Sequence, residues 1–388
     1  MGEKIYIYSG IEMGKKGAGN LVSFFVNKLN EKKIDFELIC YNTPDGKVIK
    51  ILTKLGLKKL LKSFYYKIFR TISKVNIQNA KVFLFHPQSI GLNIVSNLIK
   101  KNTIYFYVFD NFLFCKKSYN YIQGNSPCIE CIDNKKAHIK NKCTFFPNNQ
   151  VQKQYDAFLD VIEQNLKKIV FLTQNKKQSE LLKMKFGDDM NINQIGMMID
   201  LRSSRKEINN DVKEYDFLYH NTLTEAKGMR YFLDLAKEMN EYSFAIPYTK
   251  QQVRSVIPDL KYLKNLDFLS VTWETGLLEI LTKSKIVLNP SLWSAPVEGA
   301  LLKSIHYNGC VAVIDVNYSF QQEIPDSVLI KLPKNIQTAK EILSLVINSE
   351  KEINRLKRNS KDWLVNYNKN TELLFDIFLS NKILDLKN

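Results

Sequence analysis

The sequence predicts an α/β protein of two domains, each built on a parallel sheet with helices on both faces. Three observations lead there. The chain has 388 residues, more than one hydrophobic core usually supports. Short apolar strand candidates alternate with segments that suit helices, the pattern of a parallel sheet with covered faces. That alternation stops at a polar stretch near residue 200 and then begins again.

In chain order, Lys4–Ser9 reads as the first strand. It is followed by the glycine loop Gly14-Lys-Lys-Gly17-Ala-Gly19-Asn20 and by a helix starting at Leu21. Such a strand, loop and helix unit lets backbone N–H groups approach a ligand phosphate at the helix amino terminus. The glycine spacing is neither G-x-G-x-x-G nor a Walker loop, which excludes a standard dinucleotide or ATP site; the same glycines also suit a plain flexible turn. Further strands are expected at Phe36–Cys40, Lys81–His86, Thr103–Asp110 and Ile169–Thr173. Asp200–Glu214 has little apolar periodicity and reads as a linker. A second set follows: strand Tyr215–His220, helix Met229–Met239, strand Ser243–Pro247, strand Leu269–Trp273, helix Leu277–Thr282, strand Ile286–Asn289 and strand Val311–Asp315. The boundaries are therefore 1–199, 200–214, 215–370 and a terminal helix at 371–388 that packs back across the first domain.

Composition is that of an ordinary globular protein, 45% hydrophobic and 24% charged, with a net charge of +17. The charge is unevenly placed: residues 1–200 carry +15 and residues 201–388 carry +2. An anionic membrane surface or a nucleic acid is the kind of partner such asymmetry suits. Between residues 47 and 76 there are nine Lys or Arg and no Asp or Glu. There Leu57, Leu60, Leu61, Phe64, Tyr65, Ile68 and Ile72 share one helical face, with Lys58, Lys59, Lys62, Lys67, Arg70 and Lys74 around the rest. A basic amphipathic helix with aromatic residues suits the interface of an anionic bilayer; a core-facing helix with solvated lysines has the same pattern. The amino terminus lacks a signal-peptide pattern and no apolar run is long enough to span a bilayer. A cytoplasmic protein held peripherally at the inner membrane face is expected.

Four of the six cysteines, Cys115, Cys128, Cys131 and Cys143, fall in one interval. Their spacing suits either a structural tetrathiolate zinc site or separate thiols. Cys40 and Cys310 lie on apolar runs and read as core.

In the second half, His220-Asn-Thr222-Leu-Thr-Glu225-Ala-Lys227-Gly228 follows a strand and precedes a helix, which places Lys227 to reach a diphosphate. Strand Ile286–Asn289 runs into Pro290-Ser291-Leu-Trp293-Ser-Ala-Pro-Val-Glu298-Gly-Ala-Leu-Leu-Lys303-Ser304, then Gly309-Cys-Val-Ala-Val. A carboxylate and hydroxyls at a strand's carboxyl end suit sugar or ribose hydroxyls. Glu298 also reads as a favourable charge in a helix's first turn.

Together these segments resemble the donor-binding domain of family 4 glycosyltransferases. Lys227-Gly228 is similar to the family's K-G step, Pro290-Ser291 to its P-S step, and Gly309–Val313 to its closing G-x-P-V strand. Gly17–Asn20 resembles the glycine loop of the family's first domain, and Asp110 with the later cysteines resembles its H-D-x-W segment. The resemblance implies a GT-B fold of two Rossmann-like domains facing a cleft, a nucleotide-diphosphate-sugar donor, transfer with retention, and no catalytic metal. Departures are visible: the family's arginine falls on Thr222, its histidine on Phe109, and the second glutamate of E-x7-E near Lys303 or Ser304. Carried over residue by residue, Lys227 and the loop at Gly17, Gly19 and Asn20 are expected to hold the diphosphate. Glu298 is expected to hold donor hydroxyls, Thr222, Ser291 and Ser304 to reach phosphate or ribose oxygens, and Trp273 to lie beside the nucleobase. Asp110 is expected to orient or deprotonate a lipid-linked or surface-polysaccharide acceptor, brought in by Lys58, Lys59, Lys62, Lys67 and Arg70, in cell-envelope glycan or lipopolysaccharide assembly. Two other readings stay open: a nucleotide-sugar epimerase or hydrolase of the same fold, and a basic nucleic-acid-binding protein with a zinc module.

Overall fold

A computed structural model describes residues 4–14, 17–40, 77–122, 124, 127–145, 152–197, 214–294 and 296–383. The basic segment at 57–74 and nearly all of the linker lie outside the described residues. Two compact units are formed. One comprises Met1–Ser118, Ile132–Gln174 and Leu182–Gln194; the other comprises Tyr119–Cys131, Asn175–Leu181 and Ile195–Asn388.

The first unit holds a six-stranded parallel sheet of β1 (Ile5–Ser9), β2 (Phe36–Cys40), β3 (Lys81–Phe85), β4 (Thr103–Tyr107), β5 (Ile169–Thr173) and β6 (Asn191–Gln194), in the order β2-β1-β3-β4-β5-β6. Strands β3 and β5 are buried at every position, the near-continuous apolar character that a sheet covered on both faces requires. Aromatic rings carry much of this core: Phe83 stacks on Tyr105 with centroids 4.8 Å apart, and Phe25 tilts against Phe83 at 4.8 Å. Phe25 belongs to α1 (Gly17–Glu31). The crossover after β3 is a single turn, α2 (Pro87–Ile90), then α3 (Leu92–Lys101).

The second unit repeats the plan with β7 (Phe217–Tyr219), β8 (Phe244–Ile246), β9 (Leu266–Phe268), β10 (Ile286–Leu288), β11 (Val311–Ile314) and β12 (Leu329–Leu332), in the order β12-β11-β10-β7-β8-β9. One correction concerns β9. The strand expected at Leu269–Trp273 lies three residues earlier, and Ser270 within the expected span takes a left-handed φ of 48°, which breaks a ladder. Two helices frame the site described below: α4 (Met229–Glu238) after β7 and α5 (Gly299–Tyr307) after β10. Rings and aliphatic chains of β7, α4 and β8 pack at the centre, with Phe217 stacked on Phe244 at 4.7 Å and Phe232 edge-on at 5.4 Å.

The helix expected at 371–388 is the last part of one 33-residue helix, α6 (Glu350–Lys382), with Ser349 accepting the Glu352 N–H as its cap. At 1.5 Å per residue such a helix is about 50 Å long. Buried Ser360 donates from mid-helix, its Oγ lying 2.7 Å from the Gly309 carbonyl and 2.9 Å from that of Val328. Tyr367 donates to the Met197 carbonyl at 3.2 Å. No helix among the described residues is long and apolar enough to cross a membrane.

Candidate functional site

In a parallel sheet whose strand order reverses, the connections leave in opposite directions and open a crevice at the strands' carboxyl ends. In the second unit the reversal falls between β7 and β10. The residues that follow these strands meet there. Asn221 Nδ2 donates to Asn289 Oδ1 at 3.0 Å and to Glu298 Oε2 at 2.7 Å, while its Oδ1 accepts the Thr222 N–H at 2.8 Å. Asn289 Nδ2 donates to the His220 carbonyl. Glu298 Oε1 lies 2.9 Å from Lys227 Nζ, and each side chain is 7% exposed. The ammonium also sits 3.6 Å above the Trp293 ring centroid.

Local chain geometry explains why these groups converge. Glu225–Lys227 forms one 3₁₀ turn that ends at Gly228, with φ of 76°. A Cβ on Gly228 would stand 1.8 Å from the Pro290 carbonyl oxygen. Only glycine permits both the left-handed backbone and this approach. The Lys-Gly step is thus pressed onto the Pro-Ser step, and Leu292 N–H donates to Ala226 at 2.9 Å. Tyr219 shares its hydroxyl proton between the Thr222 and Lys227 carbonyls at 2.9 and 3.1 Å, and Tyr248 donates to the Asn221 carbonyl at 2.8 Å.

Burial holds the Lys227 ammonium below its ordinary pKa, against the pull of Glu298. A buried ion pair persists when partners compensate for lost water, and here Asn221 and the indole face do so. The pair joins a cation chemically able to bind an anion to a carboxylate able to accept from hydroxyls. Thr222, whose N–H donates to Asn221 Oδ1, is exposed.

Ser291, Ser304 and Trp273 are engaged with the protein itself. Ser291 is fully buried, with its Oγ accepting the Trp293 N–H at 3.3 Å. Ser304, equally buried, donates to the Ala300 carbonyl at 2.9 Å, so its Oγ accepts from His220 Nδ1 at 2.7 Å. Burial and the nearby Lys303 push the His220 pKa down to about 3. Trp273 packs against His220 at 5.5 Å and Tyr307 at 5.6 Å, with Lys303 Nζ 4.5 Å over its ring.

In the first unit the strand order reverses between β1 and β3. Gly10 follows β1, and a Cβ there would lie 2.4 Å from the His86 carbonyl oxygen. His86 follows β3 and Asp110 lies three residues beyond β4. Asp110 Oδ1 accepts the Phe112 N–H and Oδ2 accepts from Gln88 Nε2, each at 2.9 Å. Burial pushes the Asp110 pKa up to about 7, with those two donors pulling the other way. Gly19 is fixed by packing: its Cβ would meet the Glu12 carbonyl at 2.5 Å, and Gly14 N–H donates to the Gly19 carbonyl at 3.2 Å. Gly17 opens α1 and Asn20 is half-buried on its first turn.

Among the described residues no group of three or more His, Cys, Asp or Glu side chains is placed to hold a metal ion. Cys115 and Cys128 are buried, and backbone bonds tie the loop: Cys115 N–H to Asn111, Cys128 N–H to Asn120 and Cys143 N–H to His138, at 2.7, 2.7 and 2.9 Å. Cys131 is half-buried. Lys58, Lys59, Lys62, Lys67 and Arg70 lie outside the described residues. Sequence reasoning did not single out Asn221, Asn289, Trp293, Gly10, Gln88 or His86; for Gly10, His86, Asn221 and Asn289 the one signal was a polar residue or glycine just after an apolar strand, and Gln88 and Trp293 carried none.

No family model matches the sequence, and no curated protein matches it. Solved structures do. HepE from Anabaena, in complex with UDP and glucose, matches with a TM-score of 0.58 at 11% identity, covering 96% of this chain and 99% of that one. Sucrose-phosphate synthase from Thermosynechococcus elongatus matches with a TM-score of 0.60 at 10% identity, covering 98% and 100%. TarM matches with a TM-score of 0.53 at 15% identity, covering 80% of this chain and 56% of that one. The fold is that of the GT-B glycosyltransferases, with two Rossmann-like domains.

Proposed function

We propose that the chain is a glycosyltransferase that moves a sugar from a nucleotide-diphosphate-sugar to a hydroxyl acceptor of a cell-surface glycan, with retention. The observation that carries this reading is the buried Lys227–Glu298–Asn221 cluster at the β7–β10 reversal. It joins a cation for a diphosphate to a carboxylate for hydroxyls at the place where such sheets take ligands. The complexes of HepE with UDP and with UDP-glucose agree with it.

In the reaction the bond from the anomeric carbon to the diphosphate breaks, and its electron pair leaves with the nucleoside diphosphate. Lys227 stabilises the charge that develops there. Glu298 and Asn221 hold donor hydroxyls. The acceptor oxygen forms the new bond on the same face, and its proton passes to Asp110, which titrates in the range a general base needs at neutral pH. The basic segment at 57–74 holds the enzyme at an anionic bilayer bearing the acceptor. Liposome binding that survives Lys58→Glu, Lys59→Glu and Lys62→Glu together would remove that part.

Thermal shifts with UDP, GDP, CMP, ADP and a short duplex DNA test the central reading. A nucleotide at about 100 times its dissociation constant stabilises by about 2.7 kcal/mol. One nucleotide should shift the transition, and Thr222→Glu, at an exposed position next to Asn221 in the chain, should remove the shift without lowering the ligand-free transition. A shift with DNA alone would overturn the transferase reading.

A further inference from the structure

Parallel sheets take ligands at the carboxyl ends of their strands, which leaves the amino-terminal edge for other work. In the first unit β3, β4 and β5 are neighbours, and residues 77–80, 100–103 and 165–168 lead into them. These stretches include Lys100, Lys101, Lys167 and Lys168 and no carboxylate. All four lysines are exposed.

Hydrogen bonds hold the three stretches side by side. Lys168 Nζ donates to the Lys100 carbonyl at 3.1 Å, and the Asn79 N–H donates to the Lys101 carbonyl at 3.0 Å. Asn102, 3% exposed, fastens the edge from inside. Its Nδ2 donates to the Ile77 and Leu98 carbonyls at 3.1 and 3.0 Å, and its Oδ1 accepts the Ala80 N–H at 3.1 Å.

On both sides of this stretch of the sheet, lysines are balanced by carboxylates. Lys4, ahead of β1, pairs with Glu37 of β2 at 3.3 Å, and Lys183 pairs with Asp188, ahead of β6, at 3.7 Å. Glu163, the nearest carboxylate to Lys167 along the chain, lies 3.9 Å from Lys135. Among the described residues Lys100, Lys167 and Lys168 have no ion pair. The helix dipole accounts for Lys100 and Lys101 at the end of α3; Lys167 and Lys168 close only a single 3₁₀ turn. Like charges gathered without a counter-charge repel, and an anionic partner relieves them.

Neither arginine nor an aromatic ring stands in the three stretches, so the groups that read nucleic-acid bases or stack on them are missing there. Lysines alone suit a diffuse anionic surface. In the sequence the basic run between residues 47 and 76 ends at Lys74, three residues before Ile77, so the edge carries the same charge onward. Resting on the bilayer attachment proposed above, and not on the sugar chemistry, we propose that the amino-terminal edge of β3, β4 and β5 is a docking face for an anionic phospholipid surface. Docking there leaves the carboxyl ends of the strands open.

The test is co-sedimentation of the full chain with vesicles of phosphatidylcholine mixed with phosphatidylglycerol, and with vesicles of phosphatidylcholine alone. The parent should bind only the anionic vesicles. Each basic residue near such a surface contributes about a fivefold factor, so Lys167→Gln with Lys168→Gln should weaken binding about 25-fold. Both side chains are exposed, so the circular-dichroism melt should not move. Lys261→Gln with Lys264→Gln removes the same charge from exposed positions of the second unit and should leave binding unchanged.

Equal losses from the two pairs would show that only total charge matters and would overturn the proposal, as would full binding by the Lys167/Lys168 double variant. If that variant binds fully while Lys58→Glu, Lys59→Glu and Lys62→Glu together abolish binding, the edge fails and the basic segment stands. A parent that ignores anionic vesicles defeats both. Duplex DNA that displaces the parent from the vesicles at equal phosphate concentration would assign the lysines to nucleic acid instead. Nucleotide affinity should be the same with and without vesicles, and its loss on docking would contradict a face at the end away from the ligands.

Discussion

Breaking the Lys227–Glu298 pair should be among the most damaging single changes in the second unit. Both side chains are 7% exposed and their charged atoms lie 2.9 Å apart. Lys227→Met strands the carboxylate with only Asn221 as donor; Glu298→Gln strands the ammonium against an indole face. Leaving one member of a buried pair uncompensated costs about 3–5 kcal/mol. At about 2–4 °C per kcal/mol for a domain of this size, each variant should lose roughly 6–20 °C. The double variant removes both charges and should fall short of the summed losses by at least ~2 kcal/mol, well outside the ~0.5 kcal/mol scatter of independent sites. Trp273, Trp293 and Trp363 all lie in the second unit. Urea unfolding followed by tryptophan fluorescence therefore reads this unit selectively. Strictly additive losses would refute the claim that the two charges are held together.

Gly228→Ala should cost more than ~3 kcal/mol, because the new Cβ would meet the Pro290 carbonyl oxygen at 1.8 Å in addition to the left-handed backbone. Gly276→Ala is the control: φ is 117° but the nearest neighbour to a Cβ lies at 3.9 Å, so about 1–2 kcal/mol from conformation alone is expected. Equal losses in the same fluorescence assay would show that the close approach is unimportant. For Asp110 the sign follows from the base role. The carboxylate form is the active one and the pKa stands at about 7, so kcat/KM should climb as pH rises through neutrality. Asp110→Asn should lower it about 10²-fold or more and abolish the climb; a profile flat from pH 5.5 to 8.5 in the parent would exclude the role.

The strands were readable where the chain runs apolar between turn residues, as at Phe36–Cys40 and Ile169–Thr173, whose observed bounds coincide with those expected. β9 was misplaced because Leu269, Val271 and Trp273 alternate like a strand, while the edge strand that pairs with β8 carries only Leu266–Phe268. Within the site, Lys227 and Glu298 stood out because charge after an apolar strand is conspicuous. Their pairing was not legible, since 71 residues separate them and only the sheet order brings them together. Asn221 and Asn289 look like ordinary loop openings in sequence; it is the parallel register of β7 with β10 that makes them neighbours. Ser304 and Trp273 illustrate the reverse. Their chemistry suits a ligand, and in the fold they also contact His220, Lys303 and Tyr307, neighbours that the sequence does not reveal.

The long terminal helix has a consequence for how the protein is made. Ile353, Leu356 and Leu364 of α6 are buried, and Ser360 satisfies the Gly309 and Val328 carbonyls. These partners are all synthesised before the helix. The first unit has its whole sheet in place by Gln194 and is free to fold while translation continues. The second unit waits with an apolar flank uncovered until this helix has been made. During synthesis the chain thus passes through an interval in which its first sheet is complete and its second is not yet covered, and a stop codon before residue 350 would leave that flank open.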